Sequence, residues 1–222
     1  MRNEKTPLRA VLFDLDGTLT DPGEGITRSV EYALRAYGIE VKDRRELYPF
    51  IGPPLADSFS RFYGFSEAEA KRAVEKYREY YRDRGIFENR VYNGIPELLD
   101  ALKKEGFKIL LATSKPEEFA QRILERFGLL SRFDTVAGAT MDGSRVEKED
   151  VIRYALEHTR LAPRECVMVG DRRFDVEGAR RVGMPAIAVL WGYGSREELE
   201  SAAPAALAET PKELLSAILA FH

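Results

Sequence analysis

Ala10-Val11-Leu12-Phe13-Asp14-Leu15-Asp16-Gly17-Thr18-Leu19-Thr20 is an apolar run that ends abruptly in two carboxylates and a glycine. Ala10 to Phe13 reads as a strand, and Asp16-Gly17 as the turn that leaves it. In an open α/β sheet, ligands bind just beyond the carboxyl ends of the strands, so two acids at a strand exit point to an active site. A solvated Asp-Gly turn would account for Asp16. It would not account for Asp14, which lies at the edge of a core where an unpaired carboxylate is costly.

Outward from this stretch, strand and helix alternate only after Tyr92-Asn93-Gly94. A helix from Pro96 to Glu105 precedes a strand ending at Thr113, and Pro116 opens a helix whose apolar face is Phe119, Ala120, Ile123, Leu124 and Phe127. A short strand near Thr135-Val136-Ala137 follows. Then come a helix after Lys148, a strand running from Cys166 into Asp171, a helix to Val182, a last strand over Pro185 to Leu190, and a closing helix from Glu213 to Phe221. Ser201 to Ala206 reads as a loop between a helix and a strand, and Trp191-Gly192-Tyr193-Gly194 as a loop with packed aromatics. The alternation predicts an α/β fold with a doubly wound, mostly parallel, right-handed sheet.

The segment from Asp21 to Arg84 breaks the alternation and reads as helical throughout. Ile26, Val30, Ala33, Leu34 and Tyr37 form one apolar stripe. Ala70, Ala73, Val74, Tyr77 and Tyr81 form another, opened by the capping-box pattern Ser66 to Glu69. Pro49 to Pro54 between them predicts a stiff loop. The block is an insertion that divides the core in sequence but not in space.

With 222 residues, the chain can form one sizeable α/β domain and a small accessory one. A net charge of -3, without a basic stripe, argues against nucleic acid as a partner. The single cysteine, Cys166, falls inside an apolar strand and reads as a core residue in a reducing compartment. Met1 to Thr6 are polar, and no run approaches membrane-spanning length, so a cytoplasmic protein without membrane contact is expected.

Asp14-x-Asp16-Gly17-Thr18, Thr113-Ser114 at a strand end, Lys148 before a helix and Gly170-Asp171-x-x-x-Asp175 follow one another in this order. Together they resemble the haloacid dehalogenase (HAD) superfamily of phosphohydrolases, across nearly the whole chain. The resemblance implies a HAD-like, Rossmannoid core made of residues 1–20 and 90–222, with a helical cap domain over residues 21–89. The hinges would lie near Thr20 to Gly23 and Glu88 to Val91.

By the same resemblance, Asp14 is the nucleophile, forming an aspartyl-phosphate, and Asp16 is the general acid and then the general base. Thr113, Ser114 and Lys148 would bind the substrate phosphate. Metal ligands would be the Asp14 carboxylate, the Asp16 carbonyl and the Asp171 carboxylate. Asp175 would orient metal-bound waters from behind them, with direct ligation as the alternative.

A lysine at a helix start opposes the helix dipole, so Lys148 should have an anionic partner. Like charges about 4 Å apart cost roughly 4 kcal/mol per pair at an effective dielectric of about 20, so clustered acids cannot bind phosphate without a cation. With oxygen ligands alone, and His158 and His222 remote from every motif, Mg²⁺ is the expected ion.

Asp16 argues for a phosphoryl substrate, since halide displacement needs no protonated leaving group. Asp14 to Ile26, Phe50 to Leu55 and Gly170 to Arg172 resemble the phosphoglycolate phosphatase group, particularly its 5'-nucleotidase-like branch. A small phosphate ester such as phosphoglycolate is therefore the expected substrate. Alternatives are a nucleoside monophosphate, pyrophosphatase or phosphomutase chemistry, or a non-catalytic phosphate-binding scaffold. The loop Phe50 to Leu55, with Arg28 and Arg61, is expected to read the leaving group. A monomer or homodimer is expected.

Overall fold

The computed structural model describes residues 7–221. Met1 to Thr6 and His222, on which two of the sequence expectations fall, lie outside them. In chain order the elements are β1 (Ala10–Phe13), β2 (Thr20–Asp21), α1 (Gly23–Arg35), α2 (Leu55–Tyr63), α3 (Glu67–Tyr81), β3 (Arg90–Val91), α4 (Ile95–Lys104), β4 (Lys108–Pro116), α5 (Glu117–Arg126), β5 (Thr135–Ala139), α6 (Lys148–Thr159), β6 (Cys166–Gly170), α7 (Arg173–Arg181), β7 (Ala186–Val189), α8 (Arg196–Ser201), β8 (Ala206–Ala208) and α9 (Pro211–Leu219). Among the described residues no helix is long and apolar enough to cross a membrane.

The chain divides into two compact units. One takes in the described residues up to Leu19 and those from Val91 onward; the other is Thr20–Arg90.

The larger unit is built on a six-stranded sheet in the order β5-β4-β1-β6-β7-β8, parallel throughout. The fold is the α/β, doubly wound architecture that the strand–helix alternation predicts. β1 is buried along its whole length because it lies between β4 and β6 and is covered on both faces. Ala10 and Leu12 join a core with Val151, Ile152 and Ala155 of α6 and Val176 and Ala179 of α7. Val11 and Phe13 point the opposite way, as the pleat requires.

From β1 the chain builds β4 and β5 on one side, then crosses to β6, β7 and β8 on the other. The strand order therefore reverses at β1. The carboxyl ends of β4, β1 and β6 form the switch point where such sheets bind ligands.

The helix and strand that flank the loop after Ser201 have no bounds legible in the sequence. β8 is only Ala206-Leu207-Ala208, without a β-branched or aromatic residue, and α8 has six residues; neither carries a readable period. Ser201 to Ala206 is thus the end of α8, a short connection and the start of β8.

In the smaller unit, α3 opens with the expected capping box: Glu69 N–H donates to Ser66 Oγ, and Glu69 Oε2 accepts from Ser66 N–H at 2.9 Å. Pro49 lies inside a 3-10 helix, Arg44–Phe50, rather than in a loop. Phe50 and Ile51 are buried, Phe50 packing edge-on to Phe59 with ring centroids 5.1 Å apart. They are core residues of this unit, which leaves Gly52 to Leu55 as the half-buried part of the segment expected to read a leaving group. Arg28 is held between Glu88 at 2.5 Å and Glu24 at 2.7 Å, and Arg61 lies over the Phe62 ring. Arg28 therefore fastens α1 to the Glu88 segment, its charge already balanced by two carboxylates.

Candidate active site

Phe13 pairs in register with Leu111 of β4 and with Val169 of β6. The polar residues that follow each strand therefore emerge together. Asp14 is drawn against β6 by its backbone N–H, which donates to the Val169 carbonyl at 2.9 Å. Thr113 is buried two residues beyond Leu111, and Asp171 two beyond Val169. α6 delivers Lys148 from its first position, and α7 delivers Asp175 from its first turn.

Lys148 is the hub. Its ammonium donates to Asp14 Oδ1 at 2.6 Å and to the Ala112 carbonyl at 3.0 Å, and lies 2.8 Å from Asp175 Oδ1. Those three acceptors match the three donors of an ammonium. Burial pushes the Lys148 ammonium toward neutrality, but Asp14 and Asp175 outweigh it and hold the group above the ordinary lysine range. These carboxylates are the anions that a lysine at a helix start requires. Its stem passes over Gly178 of α7, where a side chain would press on Lys148 Cγ and Cβ.

Asp171 is fully buried. Thr18 Oγ1 donates to its Oδ1 at 3.3 Å, and the Tyr193 backbone N–H donates to its Oδ2 at 2.7 Å. Gly17, Gly192 and Gly194 close around it: a Cβ on Gly17 would land on the Asp171 carboxylate, one on Gly192 would meet both that carboxylate and the Gly17 carbonyl, and one on Gly194 would strike the Asp171 carbonyl. Gly17 also sits at φ +88°, a left-handed conformation suited to glycine. Burial, then Asp175 and Asp14, push the Asp171 carboxyl well above the usual carboxylate range.

Asp175 accepts the Arg172 backbone N–H on Oδ2 at 3.0 Å, so with Lys148 on Oδ1 both of its oxygens are engaged. Burial, reinforced by Asp14 and opposed by Lys148, lifts its carboxyl to about 6. Thr113 Oγ1 accepts the Lys115 backbone N–H at 3.2 Å, and Ser114 is half-buried beside it.

Asp16 is 7% exposed, and its two oxygens differ. Oδ2 accepts from the Lys115 ammonium at 2.5 Å, whereas Oδ1 is buried without a hydrogen-bond partner among the described residues. Burial raises the Asp16 carboxyl, and Lys115 opposes the rise without cancelling it.

Every residue singled out in the four motifs thus lies at one end of the sheet. Sequence reasoning passed over three contributors. Lys115 shares a strand face with Thr113 by the period of two, and that was the available signal. Thr18 and the Trp191 to Gly194 loop were not legible as partners of Asp171. The loop is more than packed aromatics: Trp191 Nε1–H donates to the Thr18 carbonyl at 3.0 Å, and Tyr193 holds Asp171. Arg172 is tied to Glu198 at 2.9 Å, and His158 is exposed with Nδ1 donating to the Tyr154 carbonyl. Cys166 is buried, and burial pushes its thiol up to about 12, which leaves it inert.

The model of the haloacid dehalogenase-like hydrolases matches residues 11–189. A 5'-nucleotidase of Pseudomonas aeruginosa is 48% identical over 92% of this chain and 92% of its own. The tyrosine-protein kinase PtkA of Mycobacterium tuberculosis is 42% identical over 86% of this chain and 65% of its own. Among solved structures, a predicted phosphatase from Clostridium acetobutylicum superposes with a TM-score of 0.95 at 46% identity, covering 96% of this chain and 99% of that one. The chain belongs to the haloacid dehalogenase-like hydrolase family. Within that family it is a phosphatase.

Proposed function

We propose that this enzyme hydrolyses phosphomonoesters of small metabolites through a phosphoaspartate on Asp14. The observation that carries this reading is the pairing of two unlike carboxylates two residues apart. Asp14 is held by Lys148, and Asp16 keeps one buried oxygen without a partner. A carboxyl raised by burial is better suited than an ordinary aspartate to give and take a proton.

In the first step an Asp14 oxygen attacks phosphorus, the ester bond breaks, and Asp16 hands its proton to the departing oxygen. In the second, Asp16 takes a proton from water as that water attacks phosphorus, releasing phosphate and restoring Asp14. Thr113 and Ser114 hydrogen-bond the phosphoryl oxygens. Lys148 balances the charge of Asp14 and of the group arriving beside it.

The acids at this site also fit a divalent cation. Asp14, Asp171 and Asp175 offer carboxylate oxygens that all lie within 4.8 Å of one another, and all three residues are buried. An all-oxygen set of this kind suits Mg²⁺. Following the resemblance, we assign the Asp14 and Asp171 carboxylates and the Asp16 carbonyl as ligands, with Asp175 behind them, where the Lys148 ammonium and the Arg172 N–H hold it. The chemistry that a bound Mg²⁺ supplies here is neutralisation of the clustered carboxylates and of the phosphoryl charge.

Mg²⁺ at about one hundred times its Kd should add about 2.7 kcal/mol to stability, a rise of roughly 5–10 °C in Tm for a chain of this length. In Asp171→Asn the rise should disappear. The metal-free variant should melt no lower than the metal-free wild type, because an amide at this position removes a buried charge from beside two like ones. Thermal scans with and without MgCl₂ check both expectations. An undiminished Mg²⁺ shift in the variant would remove Asp171 from the ligand set.

The residues of the larger unit handle the phosphoryl group, which all substrates share. We therefore assign substrate preference to Thr20–Arg90, read as a cap, and within it to Gly52 to Leu55. A phosphoglycolate-type substrate follows from the sequence resemblance, whereas the name carried by the 48% identical relative favours nucleoside monophosphates. Hydrolysis of phosphoglycolate, nucleoside monophosphates, sugar phosphates and pyrophosphate, with Mg²⁺ and with EDTA, separates these possibilities. Failure to release phosphate from any of them, or from an aryl phosphate, would overturn the hydrolase reading.

A further inference from the structure

Lys115 has no part in the steps above, yet its side chain is only 6% exposed and its ammonium meets Asp16, itself 10% exposed, at 2.5 Å. We propose that Lys115 is a positioning residue for Asp16, holding one carboxylate oxygen so that the other is presented to the reacting oxygen. The inference rests on the assignment of Asp16 as the proton-transfer group.

The geometry carries it in three ways. First, the terminal torsion of an aspartate is broad and roughly two-fold, so a carboxyl without a fixed partner would spread its oxygens over many directions. An ammonium on Oδ2 removes that freedom and leaves Oδ1, buried and accepting nothing, pointing one way.

Second, the anchor is rigid. Lys115 lies near the end of β4, where the pairing with β5 shifts register, its backbone N–H donates to Thr113 Oγ1 at 3.2 Å, and Pro116 follows directly. A residue before proline is confined to extended conformations, so the lysine stem leaves the strand in a set direction. Third, the same backbone bond joins Lys115 to Thr113, a residue assigned to the phosphate. The proton-transfer group and the phosphate-binding hydroxyl are thus referenced to one short piece of strand.

The competing role for a buried lysine here is a second cation for the phosphate itself. The two roles differ in what they change. Orienting Asp16 affects the rate of steps that move a proton, whereas a phosphate cation affects substrate binding. A lysine that merely filled space would lower both without regard to Asp16.

The test is a double-mutant cycle with Lys115→Met and Asp16→Asn, read with p-nitrophenyl phosphate and with an alkyl phosphate in Mg²⁺. Lys115→Met should lower kcat on the alkyl phosphate roughly 10- to 100-fold and leave KM within about twofold. With the aryl ester, whose leaving group needs little protonation, the initial burst of p-nitrophenolate should stay within about threefold of wild type while the steady rate falls, because attack by water still uses Asp16. In the Asp16→Asn background, Lys115→Met should change kcat by less than about twofold. Lys115→Arg should recover part of the loss.

An equal loss in both backgrounds, or a raised KM at unchanged kcat, would overturn the proposal. If Lys115→Met does not fold, Lys115→Gln enters the same cycle under the same criteria. Turnover by Asp14→Asn would instead strike the phosphoaspartate reading, and it is measured alongside so that the two failures are told apart.

Discussion

Asp14→Asn should lower kcat by about 10⁴-fold or more, and no phosphoenzyme should form in it. The expectation comes from the geometry around Lys148, not from the motif alone. An asparagine nearly matches the aspartate in shape and can still accept the Lys148 hydrogen bond on its amide oxygen, so the fold should survive. What it lacks is the negative oxygen that attacks phosphorus in the proposed mechanism. Rapid quenching with a radiolabelled substrate should trap acid-stable, alkali-labile label on the wild type and none on the variant. Wild-type turnover in the variant would remove Asp14 from the nucleophile role, whatever became of the metal ligands.

Gly192→Ala should cost about 1–3 kcal/mol in stability and roughly 100-fold in kcat/KM. A methyl group at this position would overlap the Asp171 side chain and the Gly17 carbonyl together. Neither can yield freely, because Asp171 is fully buried between Thr18 and the Tyr193 N–H, and the carbonyl belongs to the turn that carries Asp16. The loss should therefore include a weaker response to Mg²⁺, measurable as a higher metal concentration for half-activity. Gly106→Ala is the control. It has a positive φ, which Gly192 does not, but its side chain would meet open space, so it should cost about 1 kcal/mol and leave kcat/KM unchanged. Equal kinetics for the two variants would mean that the 191–194 loop does not support Asp171.

The parts of the molecule that were legible in the sequence are those where a single local signal is strong. Ala10–Phe13, Ile109–Ala112 and Cys166–Gly170 are buried on both faces and so read as unbroken apolar runs. Their polar successors, Asp14, Thr113 and Asp171, are legible for the same reason: a polar group directly after such a run must be dealt with chemically. Ser66 to Glu69 was legible because both halves of a capping box lie within four residues.

The parts that were hidden depend on long-range geometry or on short, weak segments. Ala206–Ala208 is too short and too lacking in β-formers to mark a strand. Phe50 and Ile51 read as loop because Pro49, Gly52 and Pro53 surround them, yet they pack as core. Lys115 meets Asp16 across 99 positions of sequence, and the Tyr193 N–H reaches Asp171 only after the chain has passed through β7. No spacing rule announces contacts of that kind.

The engagement of all three Lys148 donors by Asp14, Ala112 and Asp175 has a consequence for how this chain matures. These partners lie at the end of β1, on β4 and on α7, and the longest separation among them, between Asp14 and Asp175, spans most of the chain. Parallel pairings over such distances form late, since the entropy of closing long loops must be overcome before the contacts reward it. A nascent or truncated chain that has β1, β4 and α6 but not yet α7 would leave the lysine without Asp175, one of its three anchors. The onset of Mg²⁺-induced protection during refolding should therefore coincide with the final cooperative phase, which makes ion uptake a stringent reporter that the whole sheet has closed.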